Sequence, residues 1–114
     1  GTFHLNEGFY YFRNVGNRIL LGGGRHLDKT TETSDEFELT PKIQNALENI
    51  LFHHIIDHNR AKIEHRWSGI LGMGNQKKPI IKSLSQRVHC GIRLGGMGVA
   101  IGSLVGKTLA SIKD

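Results

Sequence analysis

The sequence has one cysteine, Cys90. A single thiol excludes an internal disulfide framework and a cysteine-based zinc site. It points to a reducing, cytoplasmic compartment. Cys90 stands among apolar residues and reads as a small buried hydrophobe, not as a nucleophile. No run of about 18 apolar residues occurs, so no segment is expected to span a membrane and no membrane partner is expected. The opening GTFHLNEGF shows neither an initiating Met nor the basic-then-apolar pattern of a secretory leader. The expectation is a piece of a longer protein. The net charge is +5, but no dense basic run carries it. Basic residues are scattered from Arg13 to Lys107 without a nucleic-acid motif, so nucleic acid is not an expected partner. No Ser-His-Asp triad and no paired carboxylates stand out, so no side chain is assigned as catalytic. His54 and His58 have the i, i+4 spacing of two metal ligands, but no Glu completes an HExxH pattern. His58 falls where a helix should end and suits its C-terminal dipole, so no metal site is expected.

What is present orders itself along one domain's length of 114 residues. Residues 8–22, GFYYFRNVGNRILLG, read as a hairpin, with two aromatic or β-branched runs flanking the turn NVGN. Gly22, Gly23 and Gly24 follow at once and suit a sharp turn or a close backbone approach. Residues 28–40 are polar and acidic and read as a mobile loop. Thr40 and Pro41 then announce a helix over roughly 41–57, Thr as N-cap and Pro at the first helical position. Ile43, Ala46, Leu47, Ile50, Leu51 and Ile55 give it one apolar face. Residues 61–72, AKIEHRWSGILG, read as a strand with Ile63, His65 and Trp67 on one face. After the loop MGNQKKP, Ile80 and Ile81 begin a short extended segment. The predicted class is α+β, a mixed and mostly antiparallel sheet with one covering helix and a C-terminal strand–glycine turn–helix.

The terminal unit is RVHCGIRLGGMGVAIGSLVGKTLA, residues 87–110: a strand over 87–93, glycines at 95, 96 and 98, and a helix over about 97–112. A helix N-terminus offers unpaired N–H groups and about half a positive charge, and glycines clear the approach to it. The turn is therefore suited to a phosphate, a carboxylate or a delocalised anion. A dinucleotide-binding unit beginning here is excluded, because it needs another crossover and an acidic residue about 20 positions on. Gly98, Gly102 and Gly106 also stack on one helix face and suit close packing against another element. Self-association that buries this face, or Trp67, is expected.

The run Arg66-Trp67-Ser68-Gly69-Ile70, the step Pro79-Ile80-Ile81, the strand and GGMGVAIGSLVGKTLA together resemble the C-terminal part of the D-amino-acid oxidase and glycine oxidase superfamily of FAD-dependent oxidoreductases. YYFRNVGNRILLGGG is similar to that family's substrate-domain hairpin. The resemblance implies a substrate-domain-like segment over 1–86 and a strand and helix over 87–114 that return to an FAD-binding domain. It implies FAD as cofactor of the parent protein, bound chiefly by an N-terminal half that is the expected partner. It implies a small-molecule amine or amino-acid-like substrate that gives a hydride to flavin. Arg93, Gly95, Gly96, Met97 and Gly98 would line the flavin; Arg13 and Trp67 would face the substrate. Where glycine oxidase-like members carry an Arg after the Trp-x-Gly-Leu step, this chain has Leu71. Arg13 or Arg93 is then the candidate for a carboxylate. The chain alone is expected to hold FAD weakly and to be inactive. The alternative reading is a non-catalytic α+β module that binds an anion at its glycine turn.

Overall fold

The aromatic hairpin forms as a two-residue turn dictates. β2 (Tyr10–Val15) and β3 (Arg18–Gly23) pair antiparallel from Val15 opposite Arg18 to Tyr10 opposite Gly23. A further strand, β1 (Thr2–Leu5), pairs with the other edge of β2, Phe3 opposite Phe12. Those two rings stack with centroids 4.8 Å apart. The computed structural model describes residues 1–112 and divides the chain into two compact bodies, Gly1–Gly69 and the residues from Ile70 onward.

In the first body the glycine triplet serves packing. Gly23 has φ 113°, and a Cβ there would stand 2.1 Å from the Phe9 carbonyl oxygen. No side chain fits that approach, so the chain leaves the sheet there and enters the 3₁₀ turn Arg25–Asp28. Helix α1 (Pro41–Ile50) then lies against the sheet, and Ile43 and Tyr10 are buried. Thr40 is the extended residue before Pro41, as expected, but its hydroxyl donates to the Glu32 carboxylate and does not cap the helix. The helix does not run straight to 57. It ends as a π turn over Leu51–Ile55, where the His53 ring nitrogen meets the Asn49 carbonyl at 3.0 Å. The ring of His58 packs on Phe52, centroids 4.4 Å apart.

The strand expected over 61–72 does not form; residues 61–72 carry no regular structure. A strand needs a neighbour to satisfy its backbone. This segment is held by side chains: Glu64 accepts from Arg18 at 2.7 Å, and Arg66 donates to Glu48 at 2.7 Å.

In the second body β4 (Ile80–Ser83) and β5 (His89–Ile92) form an antiparallel hairpin, Ile80 opposite Ile92. Helix α2 (Gly98–Ala110) packs on the face that carries Gly91. A Cβ at Gly91 would stand 2.5 Å from Val105 Cγ1 and 2.9 Å from Leu109 Cδ1, so glycine sets how closely helix and strand approach. The α+β class holds, with the strands divided between two antiparallel sheets. Residues 70–86 belong with β5 and α2 in this body.

Apolar burial is slight. Tyr10, Ile43 and Val105 are the buried apolar side chains among the described residues. The accessible surface is 9330 Å². Two separate compact bodies of 69 and 45 residues would expose about 7500 Å² in all. Trp67, Leu84, Val99 and Leu104 are among the large apolar side chains left exposed.

Candidate functional site

The turn between β5 and α2 is the most constrained backbone of the second body. Arg93, Gly95 and Gly96 all have left-handed φ, at 60°, 60° and 82°. For arginine that conformation costs about 1–2 kcal/mol. Local bonds offset it. Arg93 donates from Nε at 3.1 Å and from Nη2 at 2.9 Å to the Lys78 carbonyl. The Gly95 N–H donates to the Gly72 carbonyl at 3.1 Å. A Cβ at Gly74 would stand 2.6 Å from Arg93 Cδ, so the loop before β4 has glycine where the arginine passes.

The turn then opens helix α2. Met97 occupies the N-cap position without a side-chain cap, and its carbonyl accepts from Ala100 and Ile101, each at 3.0 Å. The amides of Gly96, Gly98 and Val99 donate to no protein group among the described residues. Nothing lies within 4 Å of an ideal Cβ at Gly95 or Gly96. Three free N–H groups, a helix dipole and a cleared approach make a surface for negative charge.

The remaining predicted residues lie elsewhere. Arg13 is exposed on β2, with Thr2 and Leu20 as its cross-strand neighbours, and makes no ion pair among the described residues. Trp67 is exposed in the irregular segment. Both belong to the first body, whereas Arg93 and the glycines at 95, 96 and 98 belong to the second. Sequence reading missed Gly72, Gly74 and the Lys78 carbonyl, which hold the turn. The alternation Gly72-Met73-Gly74 in a short loop was the signal for the two glycines; the Lys78 carbonyl had none. Among the described residues no cluster of three His, Cys, Asp or Glu is arranged to hold a metal.

A family model described as FAD dependent oxidoreductase, DAO, matches residues 2–112. The chain belongs to the DAO family. No curated protein and no solved structure matches it. FAD is the cofactor this family implies, and the residues at the turn fit one edge of it. Gly95 and Gly96 present no side chain to obstruct a flat ring, and the amides of Gly96, Gly98 and Val99 are unpaired donors. The Arg93 guanidinium spends two donors on Lys78, so within this DAO chain it fixes the turn's shape.

Among the described residues, the glycine stripe of α2 is not used for packing within this chain at Gly102 and Gly106. A Cβ at Gly102 or Gly106 meets nothing within 4 Å. The close approach of α2 to its hairpin is at Gly91, on the strand.

Proposed function

We propose that this chain is the substrate-side and C-terminal part of a flavin-dependent oxidoreductase acting on an amine or amino-acid-like substrate. One observation carries the proposal: a left-handed glycine turn with three unpaired amides, at the start of a 13-residue helix, in a member of the DAO family. FAD, when bound, supplies the hydride acceptor. The amides of Gly96, Gly98 and Val99 stabilise negative charge at the edge they face, as a helix N-terminus does. Met97 flanks that edge. Arg93 keeps the turn in its left-handed form. Arg13 is the guanidinium for a substrate carboxylate, and Trp67 supplies an apolar wall.

An FAD-binding half outside this chain completes the reading. In this reading residues 87–114 form the cofactor side and residues 1–86 the substrate side, β4 being the strand of the latter that pairs with β5. The open face of α2 over Gly102 and Gly106 packs against the FAD-binding half, and close backbone packing there offsets the cost of glycine in a helix.

The test is the visible spectrum of the full-length protein, recorded without oxygen while amines and amino acids are added. Flavin absorption that bleaches with a substrate supports the proposal and identifies the substrate class. A protein that carries no flavin and takes up none when FAD is added returns the turn to the anion-binding reading.

A further inference from the structure

Residues 70–112 contain six Lys or Arg and no Asp or Glu, whereas residues 1–69 contain eight basic and nine acidic residues. The excess charge of the described chain therefore resides in the second body. Arg93 is held by the Lys78 carbonyl. Lys77, Lys78, Lys82, Arg87 and Lys107 are exposed and form no ion pair among the described residues. Folding does not require such segregation: like charges gathered on a body this small repel.

An apolar tip accompanies the charge. Residues 84–88 connect β4 to β5. The Leu84 N–H donates to the Val88 carbonyl at 2.8 Å, and the Ser85 N–H donates to the same oxygen at 3.2 Å. The closed loop sets Leu84 and Val88 side by side, 62% and 51% exposed. Lys82 precedes the pair and Arg87 lies within the loop. Four strand residues separate the tip from the end of the hairpin that leads to the glycine turn, a distance of about 13 Å. An occupant of the tip therefore leaves the turn free.

The chemistry narrows the occupant. Residues 70–112 contain no Phe, Trp or Tyr, so this body has no platform on which bases stack. Two exposed aliphatic side chains beside unpaired cations suit a surface that is anionic outside and apolar just beneath. Headgroups attract the ammonium and guanidinium groups, and the acyl boundary takes the aliphatic pair.

We propose that the tip of the β4–β5 hairpin, Leu84 and Val88 with Lys82 and Arg87, seats the protein on the surface of an anionic phospholipid bilayer. Among the described residues no helix is long and apolar enough to cross a membrane, so this attachment lies in the plane of the surface. It is independent of the flavin reading.

The experiment is co-sedimentation of the purified protein with vesicles of phosphatidylcholine, with and without phosphatidylglycerol. Partition to the anionic vesicles alone, weakening as salt rises, is expected. Lys82→Gln and Arg87→Gln should each weaken it about fivefold, the effect of one basic side chain near such a surface. Leu84→Ser with Val88→Thr should weaken it at high salt as well. Circular dichroism and thermal melting confirm that each variant is folded, since the loop's backbone bonds remain available to it. Failure to partition at low salt overturns the proposal. So does equal partition of folded tip variants, or binding of duplex DNA or polyglutamate without binding of vesicles.

Discussion

The guanidinium of Arg93 and the carbonyl of Lys78 form a two-point clamp, 3.1 and 2.9 Å long, across the mouth of the β4–β5 hairpin. It holds a non-glycine residue at φ 60° immediately before the glycine turn. Arg93→Lys keeps the charge but loses the planar fork. The variant should lose about 1–2 kcal/mol of stability. Exchange of the Gly95 amide, bonded to Gly72, should quicken with it. Denaturant unfolding with hydrogen exchange measures both; unchanged values would show that the clamp does not hold the turn.

Gly91 and Gly102 should respond oppositely to one methyl group. At Gly91 the added carbon meets Val105 and Leu109, and overpacking of this kind costs about 1–3 kcal/mol. At Gly102 the space is open, and alanine in a helix is favoured by about 1 kcal/mol. In the isolated chain Gly91→Ala should destabilise and Gly102→Ala should stabilise. In the full-length protein, where we propose that the Gly102 face is covered, Gly102→Ala should destabilise. Melting curves of the isolated chain and its two variants, and of the full-length protein with and without Gly102→Ala, decide this.

Acid should release the side-chain ties of the first body in a defined range. Arg18, hydrogen-bonded to Glu64 at 2.7 Å, holds that carboxyl below its ordinary range. The Thr31 N–H first, and then Lys42, do the same for Asp28. A carboxyl lowered on folding contributes stability above its ordinary pKa and loses it as pH falls through the lowered value. Both ties should therefore persist at neutral pH and open only below the usual carboxylate range. Carbon-13 titration of the two carboxyls should give midpoints below those of unfolded peptides; midpoints at or above those values would contradict it. Both groups are exposed, so global stability should change little.

Exposed apolar side chains predict association. With Tyr10, Ile43 and Val105 as its buried apolar residues, the chain alone should self-associate through faces that include Val99 and Leu104. It should also hold FAD weakly. Sedimentation velocity that stays monomeric at high concentration would contradict the first expectation, and stoichiometric flavin absorption the second.

Local chemistry was legible in the sequence, and long-range pairing was not. NVGN gave the β2–β3 hairpin because turn and strands lie within 15 residues of each other. Pro41 gave the start of α1, and the glycines before Val99 gave the start of α2. The same alternation that suggested a strand at 61–72 yields none, because strand formation depends on a neighbour that the local pattern does not name. β1 went unread for the converse reason: Thr2–Leu5 is ordered by its partner β2, five to eleven residues away, and not by a pattern of its own. The candidate turn was legible through its glycines. Its support was not, since Arg93 reaches back 15 residues to a main-chain oxygen that carries no residue identity.

The central claim is that the amides of Gly96, Gly98 and Val99 meet the flavin. Amide hydrogen exchange of the full-length protein, with and without FAD, tests it most directly. The account predicts slower exchange at Gly96, Gly98 and Val99 when FAD is bound. Tight FAD binding that leaves these three amides exchanging at their unliganded rates would contradict it.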